Sequence, residues 1–255
     1  MTQQPTNNGA IPWFAEALRL TAFPSPSAQI DTSTLWESVV GQKPDNQNIQ
    51  PKLGIRQEDG LLEGGKLILN VQPARVEWLF TTAYDQEANG PAFEQLPNFT
   101  TGLDIFIKVI DRWFVKSPLL SRLAFGAVLI IPVENRALGY EKITSFLPDI
   151  KIDPYNSSDF LYQINRPRES KQIKGLKINR LCKWSVAMTT LTQFVLGPRI
   201  SPIAIPESQR LLARLELDIN TAAEFSGELS SNQTESLFQE LISLGKEIAA
   251  NGDVP

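Results

Sequence analysis

The sequence predicts an α+β protein made of two pseudo-repeated β-α-β-β-β-α units, with antiparallel sheets and helices packed on one face. Three observations lead there. Short segments of alternating apolar and polar residues recur between Pro and Gly clusters, as half-buried strands require. Two segments, Thr101–Lys116 and Thr234–Ala249, carry wide apolar stripes at helical spacing instead. The same order of six elements runs through residues 13–117 and again through 118–255, behind an N-terminal arm of residues 1–12 expected to be flexible. Residue identity between the halves is low, so the shared order is the whole argument for doubling.

In the first half, Ala15–Phe23 alternates and is stopped by Pro24 and Pro26, which cannot continue a ladder. Thr32–Val40 places Leu35, Trp36, Val39 and Val40 on one helical face, with Asp31 expected as N-cap and Gly41 as C-cap. Lys52–Gln57 reads as a strand, Glu58-Asp59-Gly60 as a turn, and Gly60–Gly65 as a hairpin connection. Lys66–Gln72 and Arg75–Thr82 follow as strands. A loop with Gly90, Pro91 and Pro97 leads to the helix Thr101–Lys116, where Leu103, Phe106, Ile107, Ile110, Trp113 and Phe114 make the apolar face.

In the second half, Leu119–Val133 is a strand and Asn135–Phe146 a helix closed by Pro148. Asp159–Asn165, Lys174–Thr190 and Arg210–Ala222 are strands. The last one puts Leu211, Ala213, Leu215, Leu217 and Ile219 on one face and Arg214, Glu216, Asp218 and Asn220 on the other. Asn232-x-x-Glu235 is the expected capping box of the final helix.

Composition excludes much chemistry. The chain has 255 residues, no histidine, one cysteine, 42% hydrophobic residues and a net charge of −4. Without His there is no Ser-His-Asp triad, no Cys-His pair and no HExxH zinc site. A single Cys allows no internal disulfide and no CxxC knuckle. Cys182 alternates with apolar neighbours and reads as a buried small hydrophobe. No Walker A, GxGxxG or GxSxG sequence occurs. A metal would need an all-oxygen site, for which Asp149 with Asp153, or Glu216 with Asp218, are weak candidates. No cofactor is expected. No apolar run is long enough to span a membrane, and no secretory leader pattern opens the chain, so a cytoplasmic bacterial protein is expected.

Two local features suggest binding. Arg166, Arg168, Lys171, Lys174, Lys177, Arg180 and Lys183 lie close together against Glu169 alone, so a hairpin over Arg166–Lys177 is expected to present a cationic tip. That tip suits phosphate, an acidic protein surface or plain solvent. Trp184, on the face of Ile178, Cys182, Val186 and Met188, reads as core. Arg180 falls in register with the same face, so it needs Asp218 or Glu216 as a partner unless a bulge turns it outward. The second feature is Leu191–Gln209, read as a loop stiffened by Pro198, Pro202 and Pro206, whose Phe194, Ile200 and Ile203 are candidate partner-docking residues.

Three short motifs carry a resemblance: Pro12-Trp13-Phe14-Ala15-Glu16-Ala17-Leu18-Arg19-Leu20, then Ile178-Asn179-Arg180-Leu181, then Leu215-Glu216-Leu217-Asp218-Ile219-Asn220 followed by the helix Glu235–Ile248. In that order they resemble a sporadically distributed bacterial family found around mobile and defence loci. Its late phenylalanine-glutamate step is matched only loosely, by Phe238-Gln239-Glu240. The resemblance implies a doubled α+β fold and a role beside other proteins; it supplies no reaction. The expectation is therefore a non-enzymatic interaction or regulatory subunit of a bacterial complex, in antiviral defence or a toxin–antitoxin system, with a protein partner and scope for homo-oligomers. The alternatives are a nucleic-acid-binding component using the basic hairpin and a SecB-like holdase.

Overall fold

A computed structural model describes residues 11–28, 32–63, 65–82, 97–196 and 202–255, with backbone alone at 82, 190–196 and 202–208. Among these residues the chain runs β1 (Phe14–Pro24), α1 (Leu35–Val40), β2 (Asn46–Gln50), β3 (Ile55–Leu62), β4 (Gly65–Gln72), β5 (Arg75–Thr82) and α2 (Phe99–Phe114). It continues through β6 (Leu120–Val133), α3 (Arg136–Thr144), β7 (Leu161–Asn165), β8 (Arg168–Glu169), β9 (Lys177–Leu196), β10 (Pro202–Thr221) and α4 (Ser231–Asn251). The predicted α+β class holds, but the expected separate sheets are one antiparallel sheet of ten strands. Its order is β2-β3-β4-β5-β1-β6-β10-β9-β7, with β8 beside β7 on the outer side of β9.

The seam of the sheet is the β1–β6 pair, where Leu18 faces Ala127, Leu20 faces Phe125 and Ala22 faces Leu123. All six side chains are buried on the face that the helices cover. Alternation sets that face across every central strand. Leu67, Leu69 and Val71 of β4 are buried, as are Val76, Trp78 and Phe80 of β5 and Ala213, Leu215, Leu217 and Ile219 of β10. The intervening residues of β4 and β10 stay largely half-exposed on the uncovered face. On the covered face α2 presents Leu103, Phe106, Ile110 and Trp113, and α4 presents Leu237, Leu241 and Ile248, all buried. One apolar core therefore runs from Trp36 in the first half to Trp184 in the second. Cys182 is 2% exposed within it, and burial pushes its thiol pKa up, as expected for a packing residue.

Several local expectations need correction. Glu58, Asp59 and Gly60 lie inside β3, and the β3–β4 connection comes later, at Glu63, where φ is +35°. Their polarity is absorbed by pairing: Arg56 holds buried Glu58 at 2.7 Å and Lys66 holds Asp59 at 2.9 Å. β2 was not anticipated, because Asn46–Gln50 is exposed throughout and carries no alternation. Helix α1 begins after Thr34; Asp31, the expected cap, lies outside the described residues. Helix α4 is capped by Ser230, whose N–H and hydroxyl both donate to Gln233 Oε1, and not by Asn232. The expected loop Leu191–Gln209 is in large part the continuation of β9 and β10. Met188, expected on the buried face, is 59% exposed.

Candidate functional site

The basic segment is built around β8 and the start of β9, and it lies against α4. Glu240 of α4 accepts from Ser170 Oγ at 2.6 Å and from the Lys171 amide at 2.7 Å, which pins the hairpin turn to the helix. Arg168 reaches Glu247, two helical turns further along the same face, with Nη1 to Oε2 at 2.8 Å and Nη2 to Oε1 at 3.0 Å. Arg168 Nη2 also donates to the Pro255 carbonyl. Arg166 grips Asp253 through Nε and Nη2, and Tyr162 donates its hydroxyl to the same carboxylate at 2.7 Å. The Arg166 guanidinium holds the Asp253 carboxyl below the usual carboxylate range, while the burial of Tyr162 beside Asp253 pushes its phenol up.

Arg180 is 1% exposed and does face the core, in register with Ile219. No bulge turns it outward. Asp218 and Glu216, its expected partners, are in register with Leu181 and Lys183 on the opposite sheet face. Its contacts come instead from α4 and the segment after it: Nη1 donates to the Val254 carbonyl at 3.3 Å, and Nη2 stands 3.7 Å from Glu247. Arg180 Nε and Nη2 have no hydrogen-bond partner. Burial, and the charge of Arg168 beside it, lower the guanidinium pKa. The tail that supplies these contacts leaves α4 at Gly252, with φ +80°. A Cβ there would fall 1.8 Å from the Phe146 carbonyl oxygen, so only glycine fits. The Asp253 amide then donates to that carbonyl at 3.2 Å.

The structure thus places Arg166 and Arg168 in intramolecular ion pairs, and leaves Lys171 and Lys174 exposed on the hairpin turn. Sequence reasoning missed Tyr162, Glu240, Glu247 and Asp253, because they meet the hairpin only through the tertiary fold. The lone signal was charge: a basic segment and an acidic C-terminal segment in one chain.

The apolar candidates lie elsewhere. Phe194 is in β9 opposite Ala204, and Ile203 is in β10 opposite Val195. Ile200 lies outside the described residues. The last register pair of β10 with β6 is Leu211 with Val133. Past that point, among the described residues, β9 and β10 pair only with each other, from Thr189 and Arg210 out to Leu196 and Pro202. The irregularity between Pro206 and Ser208 accommodates a residue that lacks an N–H.

The uncovered sheet face holds a concave trough of about 360 Å³ over the β1–β6–β10–β9 strands. Arg19 lies in it against Gly126, where a Cβ would come within 3.1 Å of its guanidinium. Beside it, Lys183 pairs with Glu216 at 2.9 Å and Arg214 bridges Glu216 and Glu16 at 3.2 and 2.8 Å. Burial raises the Glu216 pKa, but the two cations outweigh it and hold the carboxyl below its usual value. Among the described residues no group of three or more His, Cys, Asp or Glu is placed to hold a metal ion. No helix among them is long and apolar enough to cross a membrane. No family model, no curated protein and no solved structure matches the chain.

Proposed function

We propose that the protein is a non-enzymatic interaction subunit that holds a partner protein through the outer part of the β9–β10 hairpin. One observation carries this reading: among the described residues, the hairpin runs on as a two-stranded ribbon beyond the last strand that pairs with it. From Arg210 to Pro202 this is about 25–30 Å at roughly 3.3 Å per residue. A two-stranded ribbon is marginally stable in water by itself. This one is rich in apolar residue types: Leu191, Phe194, Val195 and Leu196 on one strand, Ile203, Ala204 and Ile205 on the other. Such a ribbon gains stability by adding a surface from outside its own sheet.

The nucleic-acid reading is weaker, since Arg166 and Arg168 are already neutralised, leaving the lysines of the turn to meet phosphate. We also read the chain as a doubled unit. In each half the first strand pairs with the last: β1 with β5, and β6 with β10. Placement beside mobile or defence loci rests on the sequence resemblance alone.

The test is affinity capture from the cells that encode the protein, with the native chain and a Phe194→Asp/Ile203→Lys variant of equal melting temperature. The reading expects a protein that co-purifies stoichiometrically with the native chain and is lost from the variant. Identical co-purifying proteins in both samples, or none in either, would sink it. Salt-sensitive oligonucleotide binding that disappears in Lys171→Ser/Lys174→Ser would favour the nucleic-acid reading instead.

A further inference from the structure

An arginine cluster surrounds residues 253–255. We propose that Arg166, Arg168 and Arg180, with Tyr162, form a receptor for an acidic Asp-apolar-Pro segment of another protein chain, and that residues 252–255 fill this receptor in cis.

The chemistry of the contacts identifies the ligand class. One side-chain carboxylate, that of Asp253, takes three donors: two from Arg166 and one from Tyr162. The other two arginines donate to main-chain oxygens, Arg180 to that of Val254 and Arg168 to that of Pro255. A receptor that reads one side-chain carboxylate and two successive main-chain oxygens reads a peptide; a free inorganic anion offers no such row of oxygens.

The cis occupant fits without saturating the site. Arg180 is buried, yet its Nε and Nη2 are without hydrogen-bond partners, and Glu247 at 3.7 Å is beyond hydrogen-bonding distance. A purely structural clasp gains nothing from a third, under-satisfied guanidinium in the core, where methionine or leucine would pack at no electrostatic cost. The segment is held by polar contacts that a competing chain can replace, since Asp253 and Val254 are half-exposed and Pro255 is exposed. Its backbone donates from the Gly252 amide to Ile248 and from the Asp253 amide to Phe146, and accepts from Arg180 at Val254 and from Arg168 at Pro255. Its departure would uncover the arginines with the sheet and α4 intact. A partner segment with the same pattern then competes with the tail, and the apparent affinity falls by the fraction of time the tail occupies the site.

The experiment uses the full chain and a fluorescent peptide of the sequence Ile248–Pro255. The Asp253→Ala chain, whose tail is weakened, is expected to bind this peptide about tenfold more tightly than the native chain does, with affinity falling as salt rises. The same peptide carrying Asp253→Asn, and the Asp253→Ala/Arg166→Gln chain, are expected not to bind. A folded Asp253→Ala chain that binds both peptides alike, or neither, overturns the proposal. Hydrogen exchange on the native chain gives an answer that does not depend on the variant folding. Millimolar peptide is expected to speed exchange of the Asp253 and Val254 amides, and unchanged exchange overturns the proposal equally.

Discussion

Trp13 ties distant parts of the chain together through one side chain. Its ring contacts Phe146 and Trp184 at centroid distances of 5.2 and 5.8 Å, and its Nε1–H donates to the Ala249 carbonyl at 2.9 Å. Trp13→Ala is expected to cost about 3–5 kcal/mol in urea unfolding, and Trp13→Phe, which keeps an aromatic ring but loses the hydrogen bond, markedly less. Asp111 on α2 works in the opposite sense. Its Oδ1 is buried without a partner, and burial together with the charge of Glu235 raises its pKa. A carboxyl whose folded pKa is raised destabilises the fold at pH values above its unfolded pKa and ceases to do so once protonated. Asp111→Asn should therefore raise the melting temperature by about 2–4 °C at neutral pH, for a gain near 1 kcal/mol, and the gain should vanish below about pH 4. Asp253 has the reverse sign. Arg166 lowers its folded pKa, so its contribution is present above the unfolded value and lost as pH falls through the folded one. The melting temperatures of Asp253→Asn and the native chain should differ at neutral pH and converge as pH drops below about 4.

Elements were legible in the sequence where burial imposes a period. Helix α2 and strand β10 announce themselves because one face of each is in the core and the other is not. β2 and the middle of β3 escaped because their residues are exposed or satisfied by ion pairs, so no apolar alternation marks them. The outer β9–β10 ribbon escaped because Pro198, Pro202 and Pro206 read as loop punctuation, whereas a ribbon edge and an irregular pairing accept proline. The basic residues of the candidate site were legible by charge, but their acidic partners were not. Asp253 is 87 residues from Arg166, and Glu247 is 79 from Arg168. Helix α3 shows the same limit in its packing. A Cβ on Gly139 would meet the Val186 methyls at 2.9 and 3.0 Å and Val133 at 3.4 Å. In an isolated helix Gly→Ala gains about 0.8–1 kcal/mol, but overpacking costs about 1–3. Gly139→Ala is expected to lower the urea midpoint, and a companion Val186→Ala to restore part of the loss.

At the scale of the whole molecule, the two halves share too much surface to unfold apart. Their sheets are one sheet through β1 and β6, and their helices meet above it, where Phe238 of α4 touches Phe114 of α2 at 5.4 Å and Phe125 of β6 at 5.9 Å. Phe238 thus belongs to the second half by sequence and to the junction by contact. The tryptophans report on both sides: Trp13, Trp36, Trp78 and Trp113 from the first half, Trp184 from the second, and all five are buried. Tryptophan fluorescence and far-UV circular dichroism should therefore give coincident urea transitions, as a single cooperative core requires. Phe238→Ala decides between one core and two loosely joined domains. In one core it lowers the common midpoint, by a loss of about 3–5 kcal/mol, and the two probes stay superimposed. In two domains it would separate the transitions, because α4 would weaken while the fluorescence of Trp36 and Trp78 kept its original midpoint. The stacked Trp36–Trp78 pair, centroids 6.0 Å apart between α1 and β5 of the first half, is the reporter on which that distinction rests.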